Sequence, residues 1–140
     1  MKRTILCSAF PGCGKSTYFK NTELDVLDSD SSTFDKAEFP QNYMDHIKEN
    51  IGKVDIILIS SHDVVRDALA EFGYPYLLVY PDINSKDEYL KRYKDRGNDD
   101  AFVKLLDQNW DTWLEGLIIE KPPAKHCVLR SGEFLSEVLP

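Results

Sequence analysis

From Thr4 to Ala9 the chain has strand character, and it breaks at Phe10-Pro11-Gly12-Cys13-Gly14 before a segment able to start a helix, Lys15 to Lys20. A strand that passes through a tight glycine turn into a helix is the opening of a parallel crossover, because parallel strands need a long connection that a helix supplies. The alternation then continues. Leu24 to Leu27 is a short apolar run ending in Asp28-Ser29-Asp30, and Tyr43 to Ile51 reads as a helix stopped by Gly52. Val54 to Ile59 is the strongest strand, apolar except at Asp55, as expected for a strand covered on both faces. Asp63 to Phe72 has helical spacing and ends at Gly73, and Tyr76 to Tyr80 is a fourth strand. Ser85-Lys86-Asp87-Glu88 has the form of a capping box opening a helix to about Arg96. A further helix spans about Asp100 to Ile119, His126 to Leu129 is a fifth strand, and Ser131 is placed to cap a last short helix. This order predicts an α/β three-layer sandwich around a central parallel sheet of about five strands.

At 140 residues the chain has room for one domain, 1–140, with a core that needs no disulfide or structural metal. Three cysteines, Cys7, Cys13 and Cys127, show no C-x-x-C spacing, which argues against a disulfide framework or zinc site and for a reducing, cytoplasmic setting. No apolar run is long enough for a bilayer span, and Ile5 to Phe10 is too short for a signal peptide, so neither membrane association nor export is expected. Lys and Arg number 17 against 24 Asp and Glu, a net charge of −7. That sign opposes general attraction to a long polyanion, so any phosphate chemistry must use local positive charge.

Such charge is supplied by the first turn. Ala9 to Thr17 follows the phosphate-binding loop pattern, with Ala9 where the pattern has its first glycine. Gly12 and Gly14 permit the tight backbone that wraps a phosphate with N–H groups; Lys15 reaches the β- and γ-phosphates, Ser16 takes Mg²⁺, and Thr17 is a further donor. Pro11 and Cys13 complete the nucleotide-binding loop. A helix N-terminus and a neighbouring lysine are conditions that lower a thiol pKa, yet Cys13 reads as a variable loop position. Ligands of parallel sheets bind beyond the carboxyl ends of the strands, which puts Asp28 and Asp30 on the same edge as the loop. Either carboxylate can serve a kinase as proton acceptor or as support for the metal's water shell.

Arg92 and Arg96, four residues apart on one helix, share a face and can clamp a transferring phosphoryl group; a solvated basic face including Lys91 and Lys94 is the equal alternative. Arg66 is a weaker candidate for orienting an acceptor, against a surface pair with Asp63 or Asp67. His62 alone of the three histidines falls on the site edge. Phe102, Leu105, Leu106, Trp110, Trp113, Leu114 and Leu117 recur at three and four and predict one buried stripe, with both tryptophans in the core. Phe34, Phe39 and Tyr43 can pack on a base or belong to the core.

Together, Pro11 to Thr17, Asp28-Ser29-Asp30, Arg66, Leu90-Lys91-Arg92 and Arg96-Gly97 resemble the kinase domain of the polynucleotide 5′-hydroxyl kinase family, with related short phage nucleotide and nucleic-acid kinases and, more remotely, zeta-toxin kinases. The resemblance covers roughly Met1 to Trp113. It implies a P-loop, nucleotide-kinase-like fold with a small helical lid around 85–100, ATP and Mg²⁺ as cofactors, Asp30 as general base, Lys15 and Ser16 on the phosphates and metal, and Arg92 with Arg96 as the lid clamp. Ser31 and Ser32 follow Asp30 where the family often has an aromatic residue and an arginine, and no phosphatase half is present.

The resulting expectation is transfer of the γ-phosphoryl group of ATP to a nucleoside, nucleotide or nucleic-acid acceptor, with Asp28 and Arg66 toward that acceptor. The alternative within the same fold is a kinase of 5′-hydroxyl ends or of modified bases, using Lys91, Arg92, Lys94 and Arg96 as a basic groove. A GTPase-like switch would need an N-K-x-D motif and a D-x-x-G segment, both absent. A protein that holds ATP without catalysis would not need Lys15, Ser16 and Asp30 together.

Overall fold

The computed structural model describes residues 3–29 and 34–140, so the candidate base Asp30 lies outside the described residues. Five strands form one parallel sheet: β1 (Ile5–Ala9), β2 (Val26–Ser29), β3 (Ile56–Ser60), β4 (Tyr76–Pro81) and β5 (Ala124–Leu129), in the order β2-β3-β1-β4-β5. Between them lie helices α1 (Lys15–Asn21), α2 (Gln41–Asn50), α3 (Asp63–Phe72), α4 (Lys86–Asp95) and α5 (Asp100–Ile118). The expected α/β sandwich is the fold observed.

The sheet is buried at its centre. Ile56 to Ile59 are fully inaccessible, as are Cys7, Ala9, Leu78 and Val79, and each of the Ile, Leu and Val side chains among them contributes about 1.5–3 kcal/mol when removed from water. The step from β1 to β2 passes over β3 in one direction, whereas the later crossovers run the other way. Right-handed connections therefore place α1 on the face opposite α2, α3 and α5. The C-terminal segment joins α1: the Tyr18 hydroxyl donates to Pro140 O at 2.5 Å, and Leu135 N donates to Cys13 O at 2.9 Å. In register, Ala9 lies beside Ser60 and Val79, and Ser29 beside Ile59, so the loops after β1, β2 and β3 open on one edge.

Several local expectations shift. β2 begins two residues later than the apolar run, because Asp55 N donates to Asp25 O at 2.8 Å and Asp25 N donates to the Asp55 carboxylate at 2.9 Å, setting the start of pairing. Asp28 and Ser29 consequently lie inside the strand. The capping box does not form: Ser85 makes no side-chain cap, and the chain enters α4 through a 3-10 turn, Ile83–Ser85, capped by Asp82. Ser131 caps nothing; its hydroxyl donates to Glu88, and the last helical piece is a single 3-10 turn, Leu135–Glu137.

Candidate functional site

Gly12 and Gly14 adopt φ values of 88° and 94°, the left-handed region that glycine enters without cost. A Cβ on Gly12 would also lie 2.8 Å from Tyr93 Cε1, and one on Gly14 would lie 3.1 Å from Phe134 Cδ1. No non-glycine residue has positive φ among the described residues, so Ala9 occupies ordinary strand geometry and its methyl group is tolerated where the pattern has glycine.

The loop's carbonyl groups are all hydrogen-bonded, three of them to donors distant in sequence. Phe10 O accepts from Cys13 N at 3.3 Å, Pro11 O from the Tyr93 hydroxyl at 2.7 Å, Gly12 O from Arg92 Nη1 at 2.9 Å, and Cys13 O from Leu135 N at 2.9 Å. Gly14 O then accepts from Tyr18 N at 2.9 Å as α1 begins. Five successive oxygens are thereby turned toward protein donors, which keeps their lone pairs from facing an approaching anion. That is the electrostatic requirement for a loop that binds phosphate through its N–H groups. Ser16 and Thr17 are exposed in the first turn of α1, which carries no acidic residue, and Lys15 is half-buried beside a cleft.

Arg92 is central to this arrangement. Its guanidinium donates to Gly12 O, pairs with Glu88 at 2.8 Å, donates to Glu133 O at 3.3 Å, and lies 4.2 Å from the Tyr89 ring centre and 4.0 Å from that of Phe134. Stacking between two rings adds cation–π attraction to the ion pair. The face is thus neither solvated throughout nor wholly turned to a ligand: Arg92 is half-buried against the loop, while Lys91, Lys94 and Arg96 are exposed. Glu88 completes the contact by accepting from Ser131 and from Gly132 N at 3.1 Å; these bonds, with Arg92, hold its carboxyl below the usual range.

The lysine and helix start beside Cys13 do not activate its thiol. Its sulfur is buried, 4.0 Å from the Tyr89 hydroxyl, and burial pushes the thiol up to about 12, outweighing the hydrogen bond from Tyr89 and the nearby Arg92 and Lys15 charges. Desolvation of the thiolate dominates. Arg66 is buried rather than paired on the surface with Asp63 or Asp67: Nε donates to Ser61 O at 2.9 Å and Nη1 lies 3.2 Å from Glu120. Asp28 is exposed on β2. Its neighbour Ser29 is buried, with its hydroxyl 3.0 Å from His46 Nε2 and its carbonyl accepting from the Tyr43 hydroxyl at 2.8 Å. Phe34 and Phe39 pack against that buried Tyr43, so this aromatic group belongs to the core.

Two clefts flank the loop. The larger, about 630 Å³, runs from Lys15 past the turn between β3 and α3, where Ser61, His62 and Arg66 line it, to the side of α5. The smaller, about 460 Å³, opens beside Gly14 and Thr17 beneath Phe134. Trp110 is core, as expected, and its indole donates to Ile83 O at 2.8 Å. Trp113 and Leu105 depart from the expected buried stripe: they are 39% and 48% exposed and form part of the larger cleft's wall. Glu88, Tyr89, Tyr93 and Phe134 are the supporting residues that sequence reasoning missed. The only local signal was the spacing of four between Glu88 and Arg92 and between Tyr89 and Tyr93.

For a metal, no group of three or more His, Cys, Asp or Glu side chains is suitably placed among the described residues. One serine hydroxyl beside a phosphate loop nevertheless fits Mg²⁺, which keeps several waters and is held largely by substrate phosphates. No helix among the described residues is long and apolar enough to cross a membrane.

Comparison with known proteins adds little. No protein-family model matches the chain, and no curated protein does. Among solved structures it is similar to a de novo designed protein of P-loop NTPase fold, known from solution NMR, at 19% identity and a TM-score of 0.35, covering 86% of this chain and 97% of that one. So loose a likeness carries no argument, and the sheet order and loop geometry stand on their own.

Proposed function

We propose that the protein is an Mg²⁺-dependent phosphotransferase that moves the γ-phosphoryl group of ATP to a nucleoside, nucleotide or nucleic-acid acceptor. The observation that supports it most is the set of loop carbonyls held by protein donors, which leaves the ligand side of the loop to Lys15 and to the N–H groups of Gly12 to Ser16 other than that of Cys13, which is bonded to Phe10 O. The smaller cleft beside Gly14 and Thr17 suits the base and sugar of the donor, with its phosphate tail running over the loop toward Lys15.

In this reading Lys15 neutralises charge on the β- and γ-phosphates as it spreads in the transition state. Mg²⁺, when bound with the nucleotide, supplies further charge neutralisation, and Ser16 is the side chain that would hold it. Asp30 accepts the proton of an acceptor hydroxyl, Arg66 lines the larger cleft on the acceptor's side whereas Asp28, exposed on β2, does not line it, and exposed Arg96 supplies further positive charge from α4. Arg92, held on Gly12 O, acts by positioning the loop.

A second reading, a kinase of 5′-hydroxyl ends or modified bases, draws on the exposure of Lys91, Lys94 and Arg96 along α4. Incubation with γ-labelled ATP and Mg²⁺ against nucleosides, mononucleotides, 5′-hydroxyl oligonucleotides and modified DNA separates the two. ATP binding without transfer to any acceptor would instead identify a nucleotide-binding or switch protein.

A further inference from the structure

The larger cleft has an uneven chemistry. One wall is apolar and aromatic, built by Phe102, Leu105, Leu106, Trp113 and Leu117 of α5. The other carries Lys15, Ser60, Ser61, His62, Asp63 and Arg66. Its volume falls within the roughly 300–1,000 Å³ usual for small-molecule sites. Trp113 presents 39% of its surface, although its neighbours in the helical repeat, Trp110 and Leu114, are fully buried.

Charge on the polar wall is already balanced. Lys15 serves the donor's phosphates in the phosphotransfer reading. Arg66, the other lysine or arginine lining the cleft among the described residues, is paired with Glu120 at 3.2 Å and donates to Ser61 O. At the cleft's lip, the exposed Asp63 carboxylate stands next to His62 and opposes a second anion. An acceptor phosphate would thus find no uncommitted lysine or arginine there, whereas a neutral ring would find an exposed indole.

We propose that this cleft is the acceptor subsite and that it takes an uncharged, planar heteroaromatic compound bearing a hydroxyl group, of the nucleoside type, with its ring against Trp113 and its hydroxyl toward Lys15. The inference rests on the phosphotransfer reading above. In the step, the acceptor hydroxyl oxygen forms a bond to the γ-phosphorus, the bond from that phosphorus to the β,γ-bridging oxygen breaks, ADP leaves with those electrons, and the hydroxyl proton passes to Asp30. Accounting for charge in this way sets nucleosides apart from nucleoside monophosphates and from oligonucleotides, which carry their own anions into the cleft.

The test is calorimetric titration of the intact protein with adenosine, guanosine, cytidine and thymidine, and with their 5′-monophosphates, each with and without a non-hydrolysable ATP analogue. At least one nucleoside should bind at least tenfold more tightly than its monophosphate. Trp113→Ala should weaken that nucleoside by roughly tenfold or more, the scale of losing one base–aromatic stack. Trp113→Phe should retain most of the affinity, and both variants should bind the ATP analogue normally. Glu120→Gln frees Arg66 and should narrow the preference for nucleoside over monophosphate.

Equal or tighter binding of monophosphates, an unchanged nucleoside affinity in Trp113→Ala, or an unchanged preference in Glu120→Gln would overturn the inference. The two proposals fail separately. Analogue binding without nucleoside binding removes the acceptor subsite alone. Trp113-dependent nucleoside binding without analogue binding removes the phosphotransfer reading and leaves the cleft as a nucleoside site; binding of neither removes both.

Discussion

Arg92 donates to the carbonyl of Gly12 at 2.9 Å, joining α4 to the phosphate loop across 80 positions of sequence. The same guanidinium pairs with Glu88 and stacks between Tyr89 and Phe134, so one side chain couples the loop, α4 and the C-terminal segment. A residue that sequence spacing offers as a phosphate clamp is here a brace for the backbone of the glycine loop.

Removing that brace should cost stability as well as nucleotide affinity. Arg92→Ala is expected to destabilise the fold by about 2–3 kcal/mol, somewhat less than the roughly 3–5 kcal/mol for breaking a fully buried pair, because Glu88 keeps partial access to water. Arg92→Lys should recover only part of this, since an ammonium cannot reproduce the fork that reaches Gly12 O and Glu88 together. Urea unfolding of the three proteins, with ATP affinity measured in parallel, checks both effects; a wild-type midpoint in Arg92→Ala would refute the bracing role.

Gly12→Ala combines two penalties. The left-handed backbone costs roughly 1–2 kcal/mol and overpacking against Tyr93 and Tyr89 roughly 1–3 kcal/mol. We expect a loss of about 2–5 kcal/mol in unfolding free energy, together with loss of ATP binding. Ala9→Gly should leave ATP binding nearly unchanged, because Ala9 already sits in a conformation open to any residue. Thermal unfolding and nucleotide titration of these two variants provide the comparison.

Lys15→Ala should lower turnover by about a hundredfold or more, the scale of losing one transition-state donor. Asp30→Asn should bind ATP and fail to transfer phosphate to a hydroxyl. Initial rates with labelled ATP decide both: near-normal turnover in the first variant removes the loop assignment, and unchanged transfer in the second removes Asp30 as base.

The thiols should respond according to burial. Cys7 and Cys13 are both pushed up to about 12, whereas Cys127 is less enclosed and more modestly raised, so alkylation at pH 8 should modify Cys127 first and the other two only on unfolding. A folded-state pKa above the unfolded value leaves full stability below the unfolded pKa, near 8.5–9, and loses it as pH climbs toward about 12. Mass spectrometry of alkylated protein and unfolding at pH 8 and 10.5 test the two statements. Rapid labelling of Cys13 in the folded state would contradict the first.

Glu88 should act with the opposite sign. Its carboxyl is lowered by Ser131, Gly132 N and Arg92, so its contribution is present above the ordinary glutamate pKa, about 4.3, and is lost as pH falls through the lower folded value. Glu88→Gln should therefore be less stable than wild type at pH 7, with the difference shrinking below about pH 4. Denaturant midpoints across that range read the effect, and a difference independent of pH would count against it.

Much of the architecture was legible because it is locally encoded. The strand runs, Gly73 after α3 and the Pro-Gly-Cys-Gly turn carry their periodicity and backbone preferences in adjacent residues, and all five strands appear close to their expected places. Boundaries moved where a partner strand decided them, as at Asp25 and Asp55. The Ser85-x-x-Glu88 pattern failed as a cap because Glu88 finds better donors in Arg92, Ser131 and Gly132. In α5, the spacing of Leu105 and Trp113 identified their side of the helix but not that the sheet's edge leaves a cleft beneath it.

By itself the sequence determined an alternating parallel α/β chain and a loop with the glycines, lysine and serine that phosphate binding requires. Only the tertiary structure decided which of those neighbouring groups are spent on the fold: Arg92 on Gly12 O, Arg66 on Glu120, and Cys13 as a buried neutral thiol, with Trp113 left facing a cleft. The physical reason is range. Helical and strand preferences act over a few residues, whereas burial and charge pairing are set by partners tens of residues away that only the closed fold brings within reach.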